Sequence, residues 1–129
     1  MSGQTNLEDL LQILNPVLLD DEFVFSSLPE VTGDPVLVFR EPEGLTLVLR
    51  RAEAERLGVP FTFPCRMITL RVHSSLEAVG LLAAVTAALT ERGISVNAVS
   101  AYYHDHLFVP AGRAEDALET LRTIRRNPR

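Results

Sequence analysis

A strand pattern over residues 67–72, followed after a short loop by a helix pattern over residues 78–92, limits most strongly the folds open to this chain. Apolar side chains alternate through the strand segment, as in a strand with one buried face. In the next segment Leu82, Val85 and Leu89 recur at helical spacing, and Gly93 supplies a C-terminal stop. The predicted order is strand, helix, strand, strand, helix, over residues 67–72, 78–92, 94–99, 103–109 and 112–125.

This βαββα order with short connections is typical of the ferredoxin-like α+β layout, in which helices pack on one face of an antiparallel sheet. The first half repeats it in reduced form, with a strand over residues 22–28, a hairpin over 36–49 and a short helix over 52–57. The sequence therefore predicts two tandem pseudo-repeats, residues 1–63 and 64–129, rather than two independent domains.

An amphipathic helix is predicted at the beginning of the chain, over residues 6–14. Its leucines at positions 7, 10, 11 and 14 fall on one helical face. We interpret this stripe as a face of the protein's own core, with a partner-binding surface as the alternative.

Charge and cysteine content exclude several classes of function. Among 129 residues, 12 are basic and 17 acidic, so the net charge of -5 does not suit a nucleic-acid-binding surface. The single cysteine, Cys65, cannot form an intramolecular disulfide, and its setting favours a small buried apolar residue over a reactive thiol. We find neither a secretory signal pattern nor a run of about 18 apolar residues. We therefore expect a cytoplasmic protein that binds neither nucleic acid nor membrane.

The turn that precedes the helix over residues 78–92 is the first candidate site. Gly80 lets a ligand or a neighbouring segment approach the backbone, and the free N–H groups of a first helical turn attract a carboxylate. The alternative is that Ser74 or Ser75 caps the helix and that Gly80 eases helix–sheet packing.

Two polar side chains on the following strand form the second candidate. Ser95 and Asn97 point to the face opposite Ile94 and Val96, so two hydrogen-bonding groups lie together on a strand otherwise suited to a core. With the Gly80 turn they would make one site for a small charged molecule. The alternative is that they are solvated residues on an open sheet face.

A third polar group consists of His104, Asp105 and His106. The histidines share one face of a strand and the aspartate faces away, and further metal ligands are not evident, so we expect no metal. A polar turn and strand entry is the favoured interpretation. Without a nucleophile motif, phosphate loop or cofactor fingerprint, we expect neither a cofactor nor catalytic residues, and the protein is predicted not to be an enzyme.

The segment from residue 75 to 102, with Val79-Gly80-Leu81, Leu89 and Gly93-Ile-Ser-Val-Asn97, resembles the ACT domain, a small regulatory βαββαβ module that binds amino acids. It is most similar to the tandem ACT pairs of aspartokinases and of CASTOR-type arginine sensors. This resemblance implies contacts to a ligand from two sets of residues. They are Ser75, Ala78, Gly80, Leu81 and Leu82 on one side, and Ser95, Val96 and Asn97 on the other.

The resemblance implies a stand-alone, non-catalytic regulatory protein, an allosteric sensor of a free amino acid or similar small ligand. Asn97 stands where lysine-sensing relatives place Asp, which weakens the case for a cationic ligand side chain. Open sheet edges and sites shared between modules imply a homodimer with a regulated protein partner. The alternative is a protein-interaction or assembly module that keeps the ACT architecture and has lost its ligand.

Overall fold

Four α-helices and six β-strands follow one another along residues 7–72 and 78–126, the part of the chain that this computed structural model describes. The helices are α1 (Leu7–Gln12), α2 (Arg51–Leu57), α3 (Leu81–Glu91) and α4 (Ala114–Arg126). The strands are β1 (Pro16–Leu28), β2 (Leu37–Glu41), β3 (Gly44–Arg50), β4 (Thr62–Leu70), β5 (Asn97–Ser100) and β6 (Asp105–Pro110). The predicted α+β class is confirmed.

All six strands belong to one sheet in the order β2-β3-β1-β4-β6-β5, and every neighbouring pair is antiparallel. Strands β1-β4-β6-β5 with α3 and α4 form one ferredoxin-like unit, and β2-β3-β1-β4 with α2 form a second. Both units use β1 and β4, so the two predicted pseudo-repeats are confirmed and share their central strands. The division after residue 63 stays a prediction, and β4 runs across it.

The unit formed by β2-β3-β1-β4 lacks the helix that would normally connect its first two strands in chain order, β1 and β2. Residues 29–36 join β1 to β2 as a loop, which the sequence explains by Pro29, Gly33 and Pro35, all poor helix formers. The Glu53 carboxylate on α2 accepts a hydrogen bond from the backbone N–H of Asp34, at 3.1 Å to one oxygen and 3.2 Å to the other. This loop is held against α2 and offers no helix N-terminus.

The helices cover one face of the sheet. Ile68 and Leu70 of β4 point to that face, and Cys65 and Met67 point to the opposite one. The main core lies between the sheet and α1, α3 and α4, and a smaller one lies under α2. Leu10, Leu11 and Leu14 are buried in the main core. The interpretation of the leucine stripe as a core face is therefore confirmed.

Strand β1 begins earlier than the pattern predicted, at Pro16 instead of residue 22. Asp20 and Asp21 interrupt the apolar alternation because the pairing with β4 shifts register between Leu18 and Glu22, which leaves both aspartates exposed. The Arg66 guanidinium donates two hydrogen bonds to the backbone oxygen of Leu19, at 2.8 and 3.1 Å. This contact explains how an irregular segment stays within a 13-residue strand.

Strand β5 begins later than predicted, at Asn97 instead of residue 94. The backbone N–H of Ile94 donates to the oxygen of Leu89 and closes the end of α3, with Gly93 at a φ of 70°. Strand β6 likewise begins at Asp105 instead of residue 103. In both cases the apolar or aromatic residues begin before the first residue that pairs with a neighbouring strand.

Candidate functional site

Gly80 adopts a conformation that other residues rarely take, immediately before the first residue of α3. Its φ is +96°, in the left-handed region, so the glycine has a backbone reason to be there. A Cβ atom built at this position would lie 3.3 Å from Cδ2 of Leu7. The side chain of Leu7, from α1, therefore borders the space beside the Gly80 Cα, a contact that the sequence pattern did not predict.

Replacing Gly80 by alanine is expected to lower the free energy of unfolding by about 2 kcal/mol, because the positive φ strains any L side chain and Leu7 must also move. Gly93→Ala separates the two causes, since Gly93 has a φ of +70° but nothing within 4 Å of a built Cβ. Gly93→Ala should cost about 1 kcal/mol. Urea unfolding measures both, and equal losses would show that the Leu7 contact contributes nothing.

The remaining predicted residues at this end of α3 are core residues. Leu81 is buried, and Ala78 and Leu82 are partly buried against the same core. Their side chains therefore face the protein interior, and what this turn offers to a ligand is its backbone. Ser75, like Ser74, lies outside the described residues.

On the second side of the predicted site, exposed and core-facing side chains alternate along residues 95–97 as predicted. Ser95 and Asn97 are exposed, and Val96 packs against the main core. Asn97 is the first residue of β5 and pairs with Phe108. The edge strand thus presents Asn97, and Ser95 lies two residues before the strand begins.

Within one chain, these two sides lie at opposite ends of α3. Gly80 precedes the helix and Ser95 follows it, and 11 residues of α-helix span about 16 Å. The strand register agrees. Leu70 is the last residue of β4, the strand that precedes the Gly80 turn, and it is level with Ser100 because both pair with Asp105. Asn97 lies three residues before Ser100, about 10 Å back along β5. The structure does not bring the two sides together in one chain.

His104, Asp105 and His106 have three different surroundings in the structure. Asp105 is buried and accepts a hydrogen bond of 2.6 Å from the Ser100 hydroxyl. Nδ1 of His106 lies 3.0 Å from the Thr69 hydroxyl, and burial, with His104 nearby, lowers the pKa of His106 below its usual value. Nδ1 of His104 is buried without a hydrogen-bond partner. Over the described residues, no three His, Cys, Asp or Glu side chains are arranged to hold a metal ion.

A hollow of about 170 Å³ lies on the helix-free face of the sheet, where the sequence pattern predicted no site. The sheet presents apolar side chains on this face as well, with Phe23, Val48, Cys65 and Phe108 buried there. A signal was available, since the segments Phe23-Val24-Phe25 and Leu107-Phe108-Val109 are apolar at consecutive positions, which indicates strands buried on both faces.

In the described part of the chain, none of the helices is both long enough and apolar enough to cross a membrane.

Comparisons with known proteins agree with this architecture. Models of the ACT domain match residues 2–66 and residues 62–123. A Vibrio cholerae protein of unknown function, described as a possible transport protein, is 44% identical over 92% of this chain and 95% of its own, with a TM-score of 0.83. A comparison with curated proteins gives no match.

More distant structures share the fold. An Agrobacterium tumefaciens protein is 18% identical over 85% of this chain and 87% of its own, with a TM-score of 0.70. The regulatory subunit of aspartate kinase from Thermus flavus is 10% identical over 87% of this chain and 97% of its own, with a TM-score of 0.61. Fold and matches define a tandem ferredoxin-like module of the regulatory type. The chain belongs to the ACT domain family, as the sequence resemblance implied.

Proposed function

We propose that this protein is a non-catalytic regulatory protein of the cytosol that binds a free amino acid, or a similar small zwitterion, between two copies of the chain. The observation that carries the proposal is the placement of Gly80 with a φ of +96° immediately before α3, together with exposed Asn97 at the start of β5 and exposed Ser95 two residues before it. The Gly80 turn offers backbone N–H groups, and Ser95 and Asn97 offer hydrogen-bonding side chains.

Each part of an amino acid has a complementary group in this arrangement. The ligand carboxylate would lie on the N–H groups at the beginning of α3, where the helix dipole also favours negative charge. The ammonium group would bond to backbone carbonyls around Val96. The ligand side chain would lie near Asn97, whose neutral amide suits a polar, uncharged group.

The dimer follows from the distance between the two sides of the site. Because Gly80 and Ser95 lie at opposite ends of α3, a complete site needs the α3 turn of one copy and the β5 edge of another. Strands β2 and β5 are the two edges of the sheet and have an unpaired side. A symmetric dimer would place two such sites across its interface. Ligand binding would then change the interface and be sensed by a separate protein partner.

The test is calorimetric titration of the protein with the twenty amino acids. We expect one ligand, or a small group of related ones, to bind with a Kd below about 1 mM. Asn97→Asp should shift the preference toward lysine or arginine by about tenfold, because a carboxylate pairs with a cationic side chain. Ser27→Ala, at an exposed position on β1, serves as the control and should bind as the unmodified protein does.

The absence of binding by any amino acid below millimolar concentration would reject the proposal. Sedimentation of the protein at the concentration used for titration gives the second check. A protein that binds an amino acid as a monomer would contradict the shared site while leaving the ligand class intact.

A specific observation favours a second function, an assembly module without a ligand. Leu7 lies against Gly80, and a hollow of about 410 Å³ between α3 and α4 is lined partly by Ala84, Ala87 and Ala88, as a protein-docking face would be. This function predicts that no amino acid raises the melting temperature and that a pull-down recovers one protein stoichiometrically.

A further inference from the structure

The hollow on the helix-free face lies between the two edges of the sheet. It is lined by residues from β2 and its preceding loop, from β4, from β6 and from β5 and its following loop. These are Val36, Leu37, Met67, Val99, Ala101, His106 and Phe108. Leu37 on one edge strand and Val99 on the other both pack against the cluster that contains Phe108. The sheet therefore curls until its two edges border one space.

Size and lining restrict what this space accepts. Its volume of about 170 Å³ is close to that of an apolar protein cavity of about 150 Å³ that takes up benzene. Its lining is apolar apart from His106, and among these lining residues no side chain carries a permanent charge. A carboxylate or an ammonium group would lose part of its hydration in this solvent-open hollow without gaining an opposite charge. The space thus suits an uncharged molecule about the size of one aromatic ring.

His106 adds one hydrogen-bonding position. Its Nδ1 lies 3.0 Å from the Thr69 hydroxyl, which holds the ring in place, and Nε2 is the ring nitrogen that the proposed ligand would bond. Burial and the nearby His104 lower the pKa of His106, which favours the neutral imidazole, and each ring nitrogen of a neutral imidazole either donates or accepts a hydrogen bond according to the tautomer. A hydroxyl group on the ligand matches either role.

We propose that this hollow is a binding site for a small uncharged molecule, a single aromatic ring or a group of similar size that carries one hydroxyl, with His106 as its hydrogen-bond partner. The site is separate from the one proposed for an amino acid. None of its lining residues belongs to that site, although Asn97 points to the same face of the sheet as its strand partner Phe108, and the hollow lacks the groups that a zwitterion requires.

Phenol and toluene are matched probes for this site, because they differ only by a hydroxyl in place of a methyl group. Phenol should cause saturable shifts in the ¹H–¹⁵N NMR spectrum at residues around Val99, Ala101 and Phe108, with a Kd of about 1 mM for so small a ligand. His106→Phe keeps a ring in place and removes both nitrogens. It should weaken phenol binding about fivefold and leave toluene binding within about twofold.

Filling the hollow gives the second test. Ala101→Leu places a larger side chain at the border of the space and should weaken both probes at least about tenfold. Ala98→Leu is the matched control, because Ala98 is exposed on the opposite face of β5, and it should bind both probes as before. If Ala101→Leu fails to fold, Val36→Phe at the other edge provides the same test, since Val36 is 45% exposed.

The proposal is overturned if phenol produces no saturable shifts, or if neither filling variant weakens binding. Equal weakening of phenol and toluene by His106→Phe would remove the hydrogen-bonding role and with it the hydroxyl requirement. The titration with amino acids gives an independent answer. Phenol binding without amino-acid binding rejects only the proposed function, and the reverse result rejects only this inference.

Discussion

Replacing Phe108 by alanine is expected to lower the free energy of unfolding by about 4 kcal/mol. Phe108 is 2% exposed and its ring contacts two others edge to face, with centroid distances of 6.2 Å to Phe23 and 5.5 Å to Phe25. The substitution removes these ring contacts and leaves a cavity that the surrounding strands cannot close. Phe108 lies on β6, whereas Phe23 and Phe25 lie on β1, one of the two strands that both repeats share, so the loss weakens packing across β4.

Phe39→Ala is the matched control for this prediction. Phe39 lies on the edge strand β2 and is 63% exposed, so the same substitution should change the free energy by less than about 0.5 kcal/mol. Urea unfolding followed by circular dichroism measures both variants. Similar losses in the two variants would mean that the helix-free face does not form a packed cluster around Phe108.

Cys65 is expected to resist thiol reagents in the native protein at least about a thousandfold more than in the unfolded chain. The residue is fully buried, and its Sγ donates a weak hydrogen bond of 3.3 Å to the backbone oxygen of Phe23. Burial, aided by the negative charge of Glu22, raises the pKa of the thiol to about 12. At pH 8 about one thiol in ten thousand is then ionised, against about one in ten at the ordinary pKa of 9.0.

The measurement is the rate of reaction with a chromogenic disulfide at pH 8, with and without guanidinium. A Cys65→Ala, Ser27→Cys double variant carries a single thiol at an exposed position and should react rapidly in both conditions. Native Cys65 reacting within tenfold of this control would contradict the buried placement. The expected result agrees with the interpretation of Cys65 as a small buried apolar residue.

Part of the candidate site was predictable because its residues are close in sequence. The position of Gly80 before a helix follows from the apolar spacing after it, and the opposite directions of Val96 and Asn97 follow from strand alternation. The distance between Gly80 and Asn97 was not predictable in this way. It depends on the direction in which α3 crosses the sheet, which places the two sides at opposite ends of this helix.

Leu7 shows the same limit for a single contact. Its place in the leucine stripe predicted that α1 faces the core, which the structure confirms. Its position against Gly80 required α1 to pack beside the beginning of α3, more than 70 residues further along the chain. Local pattern gives no information on such a pair, because it specifies which face of a helix is buried and leaves open what covers that face.

Periodicity and local motifs were sufficient to predict the order of the elements, the helix-covered face of the sheet and the membership in a tandem ACT architecture. Three further features depended on the folded chain: β1 and β4 serve both repeats, the two sides of the predicted site lie at opposite ends of α3, and the sheet curls around a hollow beside His106. The physical reason is that strand neighbours and sheet curvature arise from contacts between residues distant in sequence, whereas helix and strand periodicity act over a few residues.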